Sequence, residues 1–127
     1  MNDNNPSESE IQHGKAMLEK IYGPGIDKHS ESYSHSPFIY ETLTNLIGKV
    51  WDRPHLSIKD RRLLTIGITS MIGRKDLLEV QIRGALINKE LSKEELEEMV
   101  IHIAYYAGWG NGTAVWSALQ DTLRKMI

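Results

Sequence analysis

Cysteine is absent from the chain, which excludes disulfides, thiolate metal sites and cysteine nucleophiles. That absence fits a reducing compartment, and a cytoplasmic protein is expected. Charge of one sign is not in excess. The formal net charge is −2 over 127 residues, so composition points to no nucleic-acid or anionic-membrane partner. The first ten residues, MNDNNPSESE, have neither a basic end nor an apolar run, and are read as no signal peptide. Residues 1–6 are expected to be disordered, ahead of a single domain over 1–127. One stretch has no charge at all: residues 100–120, VIHIAYYAGWGNGTAVWSALQ. It is long enough to cross a bilayer, but His102, Asn111, Thr113, Ser117, Gln120 and three central glycines interrupt it. It is therefore read as core on one side and as pocket or interface wall on the other.

What is present is helical periodicity. Ser7 to Glu10 resembles a capping box, opening a helix to about Tyr22 with Ile11, Met17, Leu18 and Ile21 inward. Gly-Pro-Gly at 23–25 stops it, and a polar loop follows. Ser36-Pro37 opens a second helix through about Val50, and Asp-Arg-Pro at 52–54 breaks it. Ser57 with Asp60 caps a third, in which Leu63, Leu64, Ile66, Ile68, Met71 and Ile72 are apolar and which ends near Gly73. A fourth spans about 75–88 on Leu78, Ile82, Ala85 and Leu86. Ser92 with Glu95 caps a fifth, striped by Leu96, Met99, Val100, Ile103 and Ala107 and ended by Gly108 and Gly110. The sixth is expected over about 113–125, with Val115, Ala118, Leu119, Leu123 and Met126 inward. The fold class is all-α. Helices three and four are apolar on more than one face, so a homo-oligomer is expected.

The run from Val50 to Gly108 resembles the carboxymuconolactone decarboxylase family. Trp51-x-Arg53-Pro54 comes first. Arg61 opens an apolar helix that ends in Gly73-Arg74. Leu78 leads into Ile82-Arg83-Gly84-Ala85-Leu86, and Ser92-x-Glu94-Glu95 caps a helix carrying His102 and closing on Tyr106-Ala107-Gly108. The resemblance implies an AhpD-like bundle of six helices, assembled as homotrimeric or homohexameric rings. It also implies a small-molecule pocket among the third to fifth helices, near subunit contacts. Thiol-active relatives carry Cys-x-x-Cys and a histidine where this chain has Arg74, Leu77 and Gln81, and a relay glutamate where it has Arg62. Peroxidase chemistry is thereby excluded. The decarboxylase branch has a histidine at the Gln81 position, which is also missing. His102 and the Trp-x-Arg-Pro entry survive, and Trp-Gly-Asn-Gly after Gly108 alters the pocket end.

Decarboxylation needs a carboxylate held in place, a home for the electron pair left behind, and a proton. Arginine's planar fork suits a carboxylate. Ile58, Arg62, Thr65 and Thr69 share one side of the third helix, which by resemblance faces the pocket, so Arg62 is the candidate anion anchor. The competing reading is that Arg62 snorkels to solvent or pairs with a carboxylate. Arg61 and Arg53 read as structural, and Arg83 as a surface partner of Glu79 one turn earlier. His102 has the chemistry to move protons at neutral pH, against the plainer role of a satisfied core group. Tyr106, four residues on, either orients it, donates to an oxyanion, or serves as an interface aromatic. Gln81 binds a carbonyl but carries no proton, so either His102 does the acid–base work or the chain only binds its ligand. With Thr65, Arg74 and Trp109 these complete the candidate set. Trp109 and Trp116 line a cavity or pack across a subunit contact. The loop histidines His29, His35 and His55 have no metal-ligand spacing, and no metal and no cofactor are expected. The acidic KEELEE opening of the fifth helix excludes a DNA-reading helix pair. The expected activity is a decarboxylase or related lyase on a small carboxylated lactone or related cyclic compound, of the kind met in aromatic-compound catabolism. The alternatives are a non-catalytic binding module and an oligomeric scaffold.

Overall fold

Helix signals at 3.6-residue spacing become helices in the computed structural model of the chain, which describes residues 8–26 and 36–126. Among these residues every regular element is helical and none is a strand: α1 (Glu8–Tyr22), α2 (Pro37–Glu41, continuing as a π-helix over Thr42–Val50), α3 (Ile58–Ile72), α4 (Lys75–Ile87), α5 (Lys93–Ala107) and α6 (Trp109–Lys125). The expected cap at Ser7, the expectation of disorder over residues 1–6, and His29 and His35 fall outside the described residues. The chain divides into two compact units, up to Ser57 and from Ile58. No helix among the described residues is long and apolar enough to cross a membrane.

In the first unit α1 buries Ile11, Gly14, Met17 and Ile21, with Leu18 half-buried. Gly14 meets the π-helix so closely that a Cβ there would lie 2.9 Å from Leu43 Cγ, and one on Gly48 would lie 3.1 Å from the Leu43 carbonyl oxygen. Ser36 Oγ accepts from the Ile39 amide at 3.3 Å, with Pro37 opening the helix, as its Ser-Pro signal predicts. The winding then widens, which the sequence periodicity does not register. Thr42 and Thr44 hydroxyls each donate at 2.8 Å to the carbonyl four residues back, Phe38 and Tyr40, in competition with the α-helical amides. The wide bonding runs on to the Trp51 amide, which donates to Leu46 O at 3.1 Å. Trp51 is buried against Tyr22, ring centroids 6.4 Å apart.

The second unit has one core: Ile66 of α3, Leu78, Ile82 and Ala85 of α4, Leu91, then Leu96, Val100 and Ile103 of α5 and Val115, Ala118 and Leu119 of α6. The capping box at Ser92 is complete. Its Oγ accepts from the Glu95 amide at 3.0 Å, and Glu95 Oε1 accepts from the Ser92 amide at 2.9 Å. That backbone N–H holds the Glu95 carboxyl below its usual range. Ser92→Ala is expected to lower stability by about 1 kcal/mol. Urea denaturation reads this, and an unchanged midpoint would mean that the cap adds nothing.

Expectations for α6 change. α6 starts at Trp109, not near Thr113, so Gly110 and Gly112 lie inside a helix. Gly108, at φ +100°, makes the whole break. Gly112 is the seat of α5 on α6, where a Cβ would come within 2.6 Å of Ala104 Cβ. Close packing thus overrides the poor helix propensity of glycine. On α3, apolar on more than one face as its sequence indicates, only Ile66 of the six apolar residues is buried, together with Arg62, Thr69 and Ser70. Leu64, Ile68, Met71 and Ile72 stand 55–65% exposed, and Met126 at the end of α6 is exposed as well.

Candidate functional site

Ile58, Arg62, Thr65 and Thr69 do share the inward side of α3, as their spacing predicts, with Thr65 half-buried. Arg62 is fully buried. Its Nε and Nη2 donate to Glu90 Oε1 and Oε2 at 3.0 and 3.2 Å, and its Nη1 donates to Gln81 Oε1 at 2.9 Å. The guanidinium fork is therefore closed on a carboxylate of the chain itself, the arrangement named as the competing reading of Arg62. Glu90 reaches it because the chain turns sharply after α4. Lys89 adopts φ +55°, the Glu90 amide donates to Ala85 O at 2.9 Å, and Asn88 Nδ2 donates to Glu90 Oε2 at 3.1 Å. Sequence reasoning missed Glu90. A carboxylate in a polar turn reads as solvated, and only the left-handed residue before it turns it inward.

Arg74 is exposed and also engaged. It precedes α4 and donates from Nε and Nη2 to Asp76 at 2.9 and 2.7 Å. The hydrogen bonds from Arg74 hold the Asp76 carboxyl down to about 2, and the same pair raises Arg74 above its ordinary value. Arg83 does not pair with Glu79 as expected, because Glu79 accepts from Lys125 at 3.3 Å instead.

His102 and Tyr106 lie on the solvent side of α5, away from its buried Leu96, Val100, Ile103 and Ala104. One helical turn apart, their rings stack at 4.9 Å between centroids with 28° between planes. Tyr105 meets Trp109 edge-on at 5.8 Å. Trp109 and Trp116 are both more than half exposed and border one apolar groove of about 270 Å³ between α5 and α6, floored by Val100, Ala104 and Gly112. The structure thus joins Arg62 to Gln81, His102 to Tyr106, and Trp109 to Trp116. It does not join the first pair to the second: the polar ends of Arg62 and Gln81 meet inside the bundle, and His102 faces outward. Among the described residues no three His, Asp or Glu side chains are grouped as metal ligands.

An all-helical chain with Arg62 buried on Glu90 and Gln81, an outward imidazole and an aromatic groove defines a fold class rather than one reaction. The sequence pattern of the carboxymuconolactone decarboxylase family matches residues 37–121, and the chain belongs to that family. It is similar to 4-carboxymuconolactone decarboxylase of Acinetobacter baylyi, 33% identical over 79 residues that cover 62% of this chain and 58% of that protein. It is also similar to nitrosuccinic acid decarboxylase npaB of Metarhizium robertsii, 39% identical over 82 residues that cover 63% of this chain and 55% of that protein. The matched region spans little more than half the length of these relatives.

Proposed function

We propose that the chain is a decarboxylase acting on a small carboxylated compound whose departing carboxylate lies next to an electron-withdrawing group. The observation that carries this reading is family membership over residues 37–121 together with two relatives that are both decarboxylases of small acids. Breaking the carbon–carboxylate bond leaves an electron pair for the neighbouring acceptor group, and a proton completes the product. His102 supplies that proton, held by the stacked Tyr106 ring, whose hydroxyl is available to the developing oxyanion. The groove at Trp109 and Trp116 takes the apolar body of the substrate. Arg62 and Gln81, closed on Glu90 and each other, hold the wall of the bundle and leave the substrate to exposed groups.

An open His102 suits this chemistry only if water is kept out, and a homo-oligomeric ring, trimer or hexamer, does that in this reading. The exposed apolar side of α3 and the aromatic side of α5 supply surfaces for it. A second reading, a ligand-binding member without turnover, is favoured by the amide of Gln81 standing where the resemblance places a histidine. The purified chain incubated with 4-carboxymuconolactone and, separately, with nitrosuccinic acid is expected to release CO2 from at least one of them. Retention of either acid without CO2 release would replace the first reading by the second.

A further inference from the structure

Away from the groove and from His102, α4 and the end of α6 enclose a second cleft of about 470 Å³, within the range of small-ligand pockets (~300–1,000 Å³). Its apolar surface comes from Val80, Ile87 and Met126, and its polar rim from Arg83, Thr122 and two ion-paired carboxylates, Asp76 and Glu79, the latter with its partner Lys125. The reading above uses none of these side chains.

Two observations point to a ligand. The first is charge. Around this cleft Arg74 is held by Asp76, Lys125 by Glu79, and Lys75 and Arg124 by Asp121. Arg83, exposed on α4, has no carboxylate partner among the described residues. The acids of the rim are already met by cations of the chain, so the unspent charge is positive. The second is Thr122. It is 97% buried, it lines the cleft, and its Oγ1 has no hydrogen-bond partner. A buried hydroxyl without a partner carries an unfavourable desolvation cost that a ligand oxygen relieves.

We infer that this cleft binds a small monocarboxylate with an apolar body: the carboxylate on the Arg83 guanidinium, the body on Val80, Ile87 and Met126, and an oxygen of the ligand on the Thr122 hydroxyl. An arginine fork takes both oxygens of a carboxylate, and the neutralised acids leave room for one negative charge. This site is independent of the decarboxylase reading.

The test titrates the full chain with sodium benzoate at constant ionic strength, followed by amide NMR shifts and calorimetry, with benzyl alcohol as the neutral control. Saturable shifts centred on residues 76–87 and 122–126 are expected with benzoate and not with benzyl alcohol. Arg83→Gln is expected to weaken binding about tenfold or more, the loss carried by a charge-assisted hydrogen bond. Thr122→Val, close in shape, is expected to weaken it severalfold without lowering the thermal midpoint, since its hydroxyl has no hydrogen-bond partner in the protein. Equal affinity in the wild type and Arg83→Gln overturns the site. So do shifts confined to His102 and Tyr106, or a change in sedimentation with Arg83→Gln, which would make the cleft a contact between copies.

Discussion

Arg62→Ala is expected to destabilise the protein by about 3–5 kcal/mol. The size follows from what is left behind, not from the bridge itself. Glu90 is only 10% exposed at its side chain, and both its oxygens accept from Arg62. Removing the guanidinium strands a carboxylate inside the bundle and takes the donor from Gln81 Oε1 as well. A whole domain is stable by only about 5–15 kcal/mol, so such a loss is a large share of the total. Glu90→Gln should also be costly, because the amide offers one acceptor where the carboxylate offered two and the fully buried Arg62 guanidinium loses its counter-charge. Changing both, Arg62→Met with Glu90→Met, should recover most of the loss, since apolar replacement of a buried pair is often neutral. Urea unfolding of the three variants reads the series. If Arg62→Ala lost less than about 1 kcal/mol, the value of a solvated surface pair, the cluster would not be a buried ion pair in solution.

The fate of Arg62 shows what a sequence can and cannot carry. Its side of α3 was legible, because Ile58, Arg62, Thr65 and Thr69 repeat at helical spacing and all turn inward. Its partner was not, because Glu90 lies 28 residues on and is aimed by the single left-handed residue Lys89. Helix starts signalled by side-chain chemistry came through, Ser36-Pro37 and Ser92 with Glu95 among them, since a cap is a local event. The start of α6 did not. The glycines of Trp-Gly-Asn-Gly look like a loop by propensity, and only the fit of Gly112 on Ala104 makes them helical. The apolar side of α3 was legible as apolar and as wanting cover that the small domain could not supply. Hydrophobic spacing states that a face needs cover, and Leu64, Ile68, Met71 and Ile72 find little within the chain. For the site, the His102–Tyr106 pairing follows from a four-residue interval on one helix, whereas the separation of His102 from Arg62 and Gln81 is a property of the whole bundle.

That separation gives the second large effect a clean reading. Under the proposed function, His102→Ala is expected to lower kcat by about 10²–10⁴-fold on an accepted acid, the usual worth of a placed acid or base. Because His102 is exposed and contacts Tyr106 by stacking alone among the interactions described, its removal should change the unfolding free energy by no more than about 0.5 kcal/mol. Activity and stability then move apart, in contrast with Arg62→Ala, whose expected effect is on stability. If the histidine acts only on the proton in the transition state, KM stays near its parent value while kcat drops. Tyr106→Phe keeps the stacked ring and removes the hydroxyl, so it separates the two roles of the tyrosine. Near-parent kcat in Tyr106→Phe assigns it to orienting the imidazole, whereas a loss of about 10²-fold assigns it to the oxyanion. Full turnover by His102→Ala would end the assignment of the proton to this residue.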